Sequence, residues 1–299
     1  MADASKPNNR IVNPYAHYIT DIMTGYFMGE PVKYTSAEDE QLEVLDAIYN
    51  YNDEAAENSK LAEYASIYGV AYEIMYLDED AAIRFKRIDT EGCIPIFASD
   101  IEGDLLYFIR YYDEYDIMTG NTITNVEVYS RYDISYFTYS IGGLTPIGVQ
   151  EHHWGLVPIN IFYNNEEELG DFETVISEID AYDKLESDNL NEVEYFNDAY
   201  LALYGVEGTD ADDIAKMKEN RVLVLPEDAK AEWLIKSIND TYLENLKTRL
   251  DKNIHKFSYC PAMTDEDFSQ NASGVAMKYK LMGLENATSK KESAFKVGL

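Results

Sequence analysis

The chain has 299 residues, with 24 Lys and Arg against 56 Asp and Glu, for a formal charge of −32. Its length suits two domains, or one large domain with appendages, and a hydrophobic content of 46% supplies a real core and excludes overall disorder. No apolar run of about 18 residues exists to span a membrane, the N-terminal MADASKPNNR has no secretory h-region, and the acidic balance argues against binding nucleic acid by neutralising phosphates.

Asn13-Pro14 opens the first predicted helix, with Asn as its cap and Pro at its first position. Tyr15, Tyr18, Ile19, Ile22, Met23 and Tyr26 follow at helical spacing, and Gly25, Gly29 and Pro31 stop the helix before an extended Pro31–Thr35. Ser36 with Asp39 resembles a capping box, which predicts a helix over about 37–50 with Leu42, Leu45, Ile48 and Tyr49 on one face. A shorter helix covers about 54–66. From Ser66 to Ile161 the period changes to two. Ile67–Leu77, Ala82–Ile88, Leu105–Tyr112, Thr122–Ser130 and Ile134–Ser140, separated by Asp- and Gly-rich turns, read as an antiparallel meander, and Leu156–Phe162 is a further strand.

From Asp171 to Tyr204 no Gly or Pro interrupts a helical stripe that includes Val175, Ile179, Leu190, Phe196 and Leu203. One helix of that length spans roughly 50 Å, which suits a stem better than a core element. Gly205–Asp240 is a short mixed insert, with a strand at Arg221–Pro226 and a strand or helix at Ala231–Ile238. Thr241–Phe257 resumes helical spacing through Leu243, Leu246, Leu250 and Ile254, and Pro261 ends it. Thr264 with Asp267 marks another helix start, and Phe268–Leu284 is apolar on more than one side, implying burial on several sides. The fold class is therefore α+β.

Charge is unevenly spread along these elements. Residues 1–240 hold 15 basic and 49 acidic side chains, whereas 241–299 hold 9 and 7, a net of +2. The stretch 164–213 has 17 acidic residues and one Lys, Lys184: a solvated face, or a field aimed at a charged partner. The 26 tyrosines suit strands and half-wet interfaces.

No motif points to catalysis or to a cofactor. His152 and His153 beside Glu151 alternate across a strand, an awkward geometry for one metal ion, and no HExxH or CxxC accompanies them. Asp78-Glu79-Asp80, Glu166-Glu167-Glu168 and Asp265-Glu266-Asp267 lack the spacing of a calcium loop. Cys93 and Cys260 are far apart, have no neighbouring base, and fit a reducing compartment without disulfides. Gly142-Gly143 is a turn rather than a phosphate cradle, and no GxSxG is present.

Five segments in order nevertheless resemble one family. They are Asn13–Tyr34 with Gly25-Tyr26 and Gly29-Glu30-Pro31-Val32; Ser66–Tyr76 with Gly69, Ala71, Tyr72 and Glu73; and Val157–Asn165 with Pro158, Phe162, Asn164 and Asn165. Ile179–Ser187 (IDAYDKLES) and Thr264–Glu285, with Phe268, Asn271, Ser273, Gly274, Ala276, Lys278, Leu281, Gly283 and Leu284, complete the set. The chain resembles the portal proteins of tailed double-stranded DNA bacteriophages, of the siphophage type. It departs from the family by lacking the usual residues before Asn13 and the helical crown after the tunnel helix, as a cropped chain or a divergent short member would.

The resemblance implies a wing over 1–165, a stem helix over 166–204, a clip over 205–240, a returning stem helix over 241–258, and a tunnel loop and helix over 259–299. It further implies a ring of about twelve subunits at one capsid vertex, in the virion, assembled in the bacterial host cytoplasm. DNA passes through the ring during packaging and ejection. Terminase and later head-completion or adaptor proteins dock on it, capsid and scaffold proteins surround it, and it carries no enzymatic activity, cofactor, metal or membrane contact. Val222, Leu223, Val224 and Leu225 would add a strand to a neighbour, or else pair within their own subunit. Asp265, Glu266 and Asp267 would lie near the channel with Asn271 and Ser273, or merely cap a helix. Lys278, Lys280, Lys290 and Lys291 would face DNA, or be ordinary surface lysines. The alternatives are an acidic, β-rich virion or interaction protein without a channel, and a metal-dependent nuclease. The acidic charge also changes meaning in a channel, where a duplex must slide without sticking and an acidic wall repels it within roughly 8–10 Å.

Overall fold

The computed structural model describes residues 7–36, 39–118, 120–196, 200–204, 230–234, 240–263 and 274–299. These fall into two compact units, one made of the described part of Met1–Asn13 with Ser177–Ile254, the other of Pro14–Ile176 with His255–Leu299.

In the larger unit, α1 (Tyr15–Met28) starts where the Tyr18 N–H donates to the Pro14 carbonyl at 2.9 Å. Its predicted cap is not used: the Asn13 side-chain amide donates to Asp183 Oδ1 at 2.8 Å within the smaller unit. The helix also runs through Gly25 and stops at Gly29. α2 (Asp39–Asn52) and α3 (Glu54–Tyr68) follow, and α3 ends in a left-handed Gly69 at φ +80°, whose N–H returns to the Ala65 carbonyl. A Cβ on Gly69 would lie 1.8 Å from the Glu168 carbonyl oxygen.

The strands form two sheets rather than one meander. β1 (Val70–Leu77) pairs antiparallel with β2 (Ile83–Ile88) on one side and with β8 (Ile159–Tyr163) on the other. The second sheet runs in the order β3 (Cys93–Phe97), β4 (Leu105–Asp116), β5 (Asn121–Tyr129), β6 (Asp133–Ser140) and β7 (Gly143–Glu151). The outermost strands β3 and β7 were not expected from the sequence. Each carries a proline, Pro95 and Pro146, which an edge strand tolerates because one row of its N–H groups has no ladder partner. β7 also bulges against Tyr136/Phe137.

The pleat of β1 divides the core into two layers. Val70 and Tyr72 point to the five-stranded sheet and pack with Phe108, Tyr129, Val157, Ile159 and Ile88. Phe108 is fully buried, edge-on to Tyr72 at 5.0 Å between centroids; burying such a ring contributes about 2–3 kcal/mol. Ala71, on the other face, packs with Leu61, Ala62 and Ala65 of α3 and with Phe162 and Phe295. The larger unit is thus layered helices, three-stranded sheet, five-stranded sheet.

A polar layer lies between α3 and β1. Glu73 is buried and accepts from the Asn160 amide at 2.9 Å, while Glu54 accepts from Tyr34 Oη at 2.6 Å and from Asn58. Burial pushes the Glu73 carboxyl up from its ordinary 4.5 to about 7, and Glu57 and Glu54 add to the effect. The folded state therefore holds a proton that the unfolded chain releases, and this group favours folding less as pH rises from 4.5 to about 7. Glu73→Gln removes the buried charge and keeps an acceptor for Asn160. It is expected to match the wild type near pH 5 and to exceed it by about 3 kcal/mol at pH 8, measured by urea unfolding at both values.

In the smaller unit, the helical stripe predicted over 171–204 is cut short. A 3₁₀ turn at Glu173–Val175, in the larger unit, precedes α4 (Ile176–Phe196), and β9 (Tyr200–Tyr204) pairs antiparallel with β10 (Lys230–Leu234). α4 alone is about 32 Å long. The extended segment 7–13 is tied to α4 by Asn9 on Asn191 and Glu194, the Ile11 N–H on Ser187 Oγ, and Asn13 on Asp183. α5 (Asp240–Phe257) sends Lys247 to Glu186 of α4 at 2.6 Å. The predicted strand Arg221–Pro226 lies outside the described residues.

Candidate functional site: the seated helix α6

α6 (Gly274–Phe295) extends further than the predicted helix, which ended at Leu284. Positions three and four apart on a helix share a face, and Leu284, Lys291 and Phe295 fall on one such stripe and are all buried. Phe295 meets Phe27 of α1 at 5.2 Å and Phe162 of β8 at 4.8 Å between centroids, which seats the C-terminal half of α6 on the helical layer.

Lys291 breaks the apolar run of that stripe. Its Nζ lies 2.6 Å from Asp171 Oδ2, with 2% of its side chain exposed, so it does not face DNA as expected. Burial lowers its pKa, against the upward pull of the Asp171 carboxylate. The same carboxylate accepts from Ser66 Oγ and, at 2.8 Å, from the Asn164 amide, while the Asp171 N–H donates to the Ser66 carbonyl. Asn164 also donates to the Leu169 carbonyl, and its own N–H reaches the Gly69 carbonyl. The Lys291 ammonium stands 5.6 Å from the centre of the Phe27 ring. The paired asparagines of the Val157–Asn165 segment are thereby explained: Asn164 and Asn165 fold the loop that presents Asp171 to α6.

The opposite face of α6 is exposed and includes Lys278, Tyr279, Met282, Asn286, Ser289 and Lys290. Lys278, Lys280 and Lys290 are exposed. Burial on several sides does not hold within the single chain, because Tyr279 is 72% and Met282 52% exposed. Asp265, Glu266, Asp267, Asn271 and Ser273, and Val222, Leu223, Val224 and Leu225, lie outside the described residues.

The segment that leads toward α6 is also fixed in place. Tyr18 Oη donates to the Pro261 carbonyl and accepts from the Met263 N–H, both at 3.0 Å. His255 Nδ1 lies 3.0 Å from the Cys260 carbonyl, and its ring stacks edge-on to Tyr15 and Tyr18. Sequence reasoning did not single out Tyr18 or His255 for this role; their partners are more than 240 and five residues away respectively.

Among the described residues no group of three His, Cys, Asp or Glu side chains is placed to share a cation. Burial pushes both thiols, Cys93 and Cys260, up to about 12, far from the range of a reactive thiolate. No described helix is long and apolar enough to cross a membrane.

The chain matches the family model described as phage portal protein, SPP1 Gp6-like, over residues 2–299, and it belongs to that family. It is 25% identical over 303 residues to the portal protein of Bacillus phage SPP1, covering 95% of this chain and 60% of that protein. It is 25% identical over 317 residues to the portal protein of Clostridium phage phiCD119, covering 97% of this chain and 69% of that one. A crystal structure of an HK97-family phage portal protein from Corynebacterium diphtheriae aligns with a TM-score of 0.44 and 9% identity, over 94% of this chain and 85% of that one.

Proposed function

We propose that the chain is the subunit of a closed ring at a capsid vertex, and that double-stranded DNA passes through the ring during packaging and ejection. The observation that carries this reading is family membership across nearly the whole chain. The structure supplies a physical basis. α6 is held by one face to the helical layer and presents the other face, with Lys278 and Lys290 exposed and Glu285 exposed beside Lys278. A net charge of −32 keeps a duplex from adhering elsewhere.

In this reading the helices and sheets of 1–165 are the wing, α4 and α5 belong to the stem, the insert 205–240 is the clip, and α6 lines the tunnel. Val222 to Leu225 add a strand to the neighbouring subunit, and Asp265, Glu266 and Asp267 stand near the channel with Asn271 and Ser273. The ring performs no chemistry itself. Terminase docks on it to move DNA, head-completion or adaptor proteins follow, and capsid and scaffold proteins hold it in a virion assembled in the host cytoplasm.

Native mass spectrometry and electron microscopy of the purified protein test the reading. A closed ring of about twelve subunits is expected, since head-to-tail contacts must close. A chain that remains a monomer or dimer at high concentration would count against it. Replacing Lys278, Lys280 and Lys290 together with Gln is expected to leave the ring and its stability unchanged and to slow DNA packaging. Packaging at the wild-type rate would remove these lysines from the channel.

A further inference from the structure

The extended segment 9–13 lies along α4 on a ladder of hydrogen bonds in which the segment supplies the donors and the helix the acceptors. The Asn9 N–H donates to Asn191 Oδ1 at 2.7 Å, the Ile11 N–H to Ser187 Oγ at 2.9 Å, and the Asn13 N–H to Asp183 Oδ1 at 2.9 Å. Alternate N–H groups of an extended chain point the same way, about 6.7 Å apart. Residues four apart on a helix share a face, about 6 Å apart. The two periods match well enough for the rungs at Asp183, Ser187 and Asn191 to form together. The Asn9 side-chain amide adds bonds to Asn191 and Glu194, and the Asn13 amide adds one to Asp183. Little apolar surface takes part. Ile11 is half-buried, whereas Asn8, Arg10 and Val12 are exposed, Val12 at 79%. The segment is therefore held by hydrogen bonds rather than by a core, and it leaves α4 without unpacking one.

Asn13 is also the natural cap of α1. Asn followed by Pro is the pattern of a helix cap and a first helical residue. The Asn13 amide is nevertheless committed to Asp183, and α1 starts at Tyr15 with no side-chain cap. Pro14 stands at φ −79° and ψ 44°. Its φ is close to helical, and its ψ alone is roughly 90° away. Turning that one bond adds Pro14 to α1 and sets Asn13 at the cap, where Oδ1 accepts from the Ala16 N–H. With α1 in place, the same turn swings the preceding segment, so the rungs on α4 are lost as the cap forms. The division between the two compact units falls at this point too, between Asn13 and Pro14.

We propose that segment 9–13 is a releasable strap and that Asn13 is its two-position latch. In one position Asp183 holds Asn13 and the strap covers the ladder on α4. In the other, Asn13 caps α1, the helix gains Pro14, and the acceptors of Asp183, Ser187 and Asn191 are uncovered. Hydrogen bonds to a carboxylate and a helix cap are of similar strength, so neither position wins by default. A two-state element of this kind shifts with any contact that favours one position over the other. The latch does not depend on the ring reading above.

Trypsin reports the state of the strap, because Arg10 is exposed and is its first cleavable site, Lys6 being followed by a proline. Docked, the residues on both sides of Arg10 are bonded to α4 through their N–H groups. Asn13→Asp keeps a good helix cap and sets a second carboxylate against Asp183. In the purified full chain it is expected to raise the rate of cutting after Arg10 about tenfold. Combining it with Asp183→Asn gives the rung a new amide opposite the new carboxylate, and is expected to return the rate to near wild type. Amide exchange separates a latch from plain loosening. Asn13→Asp is expected to speed exchange at Ile11 and to slow it at Ala16, because release caps α1. Asn13→Ala, which offers no cap, is expected to speed exchange at both. Cutting at the wild-type rate in Asn13→Asp, or faster exchange at Ala16 in that variant, would overturn the proposal. A rate that stays high in the double variant would overturn it as well, since Asp183 would then not be the docked partner.

Discussion

Lys291→Met is expected to destabilise the protein by about 3–5 kcal/mol, the cost of stranding one member of a buried ion pair. Asp171 would keep the Ser66 hydroxyl and the Asn164 amide but lose its only described cation, at a place where it is almost wholly shielded from water. Methionine fills most of the lysine's volume, so the loss reports charge rather than a cavity. The pair need not be a net gain over an apolar pair. Lys291→Met combined with Asp171→Asn is expected to lose less than Lys291→Met alone, since no uncompensated charge then remains buried. Urea unfolding followed by circular dichroism gives both values. Faster amide exchange across the C-terminal half of α6 in the single variant identifies the element that comes loose. Equal stability of wild type and Lys291→Met would mean that the aromatic cluster of Phe27, Phe162 and Phe295 alone seats the helix.

Gly69→Ala should be comparably damaging, for a reason of backbone rather than charge. Gly69 lies at φ +80°, where any side chain adds about 1 kcal/mol of strain. The larger part is steric: the new methyl would stand 1.8 Å from the Glu168 carbonyl oxygen and 2.9 Å from the Leu169 nitrogen. Neither is a side-chain tip that can swing aside. The loop from Asn165 to Leu169 would have to move, and with it Asp171 and the Gly69 carbonyl contact to the Asn164 N–H. A total loss of about 3 kcal/mol or more is expected, with a lowered thermal midpoint as the readout. A variant within 1 kcal/mol of wild type would show that the loop yields easily.

Much of the fold could be read along the chain, and the misses have physical causes. β1, β2, β4, β5, β6 and β8 were legible as short Tyr-, Ile-, Val- and Phe-rich runs between turn residues, although β1 and β8 form a middle layer buried on both faces. β3 and β7 hide behind Pro95, Pro146 and Gly148, residues that an edge position forgives and a propensity reading does not. Alternation is a local signal and carries no information about which sheet a strand joins, so two sheets read as one. Tyr200 to Tyr204 satisfy both the helical and the extended period, and no Gly or Pro marks the change, so periodicity alone predicts too long a helix. For the site, Lys291 falls seven residues after Leu284 and four before Phe295, so its place on the buried stripe was readable. Its partner was not, because Asp171 is 120 residues away and only folding brings the two together. The Gly69 and Asn164 motif positions likewise announced themselves as a pattern, while their shared task of holding one loop needed coordinates.

The seating of α6 also makes it a cantilever. It is clamped to the larger unit from Leu284 to Phe295 by packing and by the Lys291 pair, while Lys278, Tyr279 and Met282 are exposed and Met277, Leu281 and Gly283 are half-buried. The stretch from Gly274 to Leu284, exposed on one side, is about 15 Å at 1.5 Å per residue, short enough for an intact helix to stay stiff. A sideways load at Lys278 is therefore carried as torque into the aromatic clamp and the Asp171 loop rather than spent in bending the helix. The place to look for a mechanical response is at Phe27, Phe162 and Phe295, nearly five turns (about 26 Å) from Lys278.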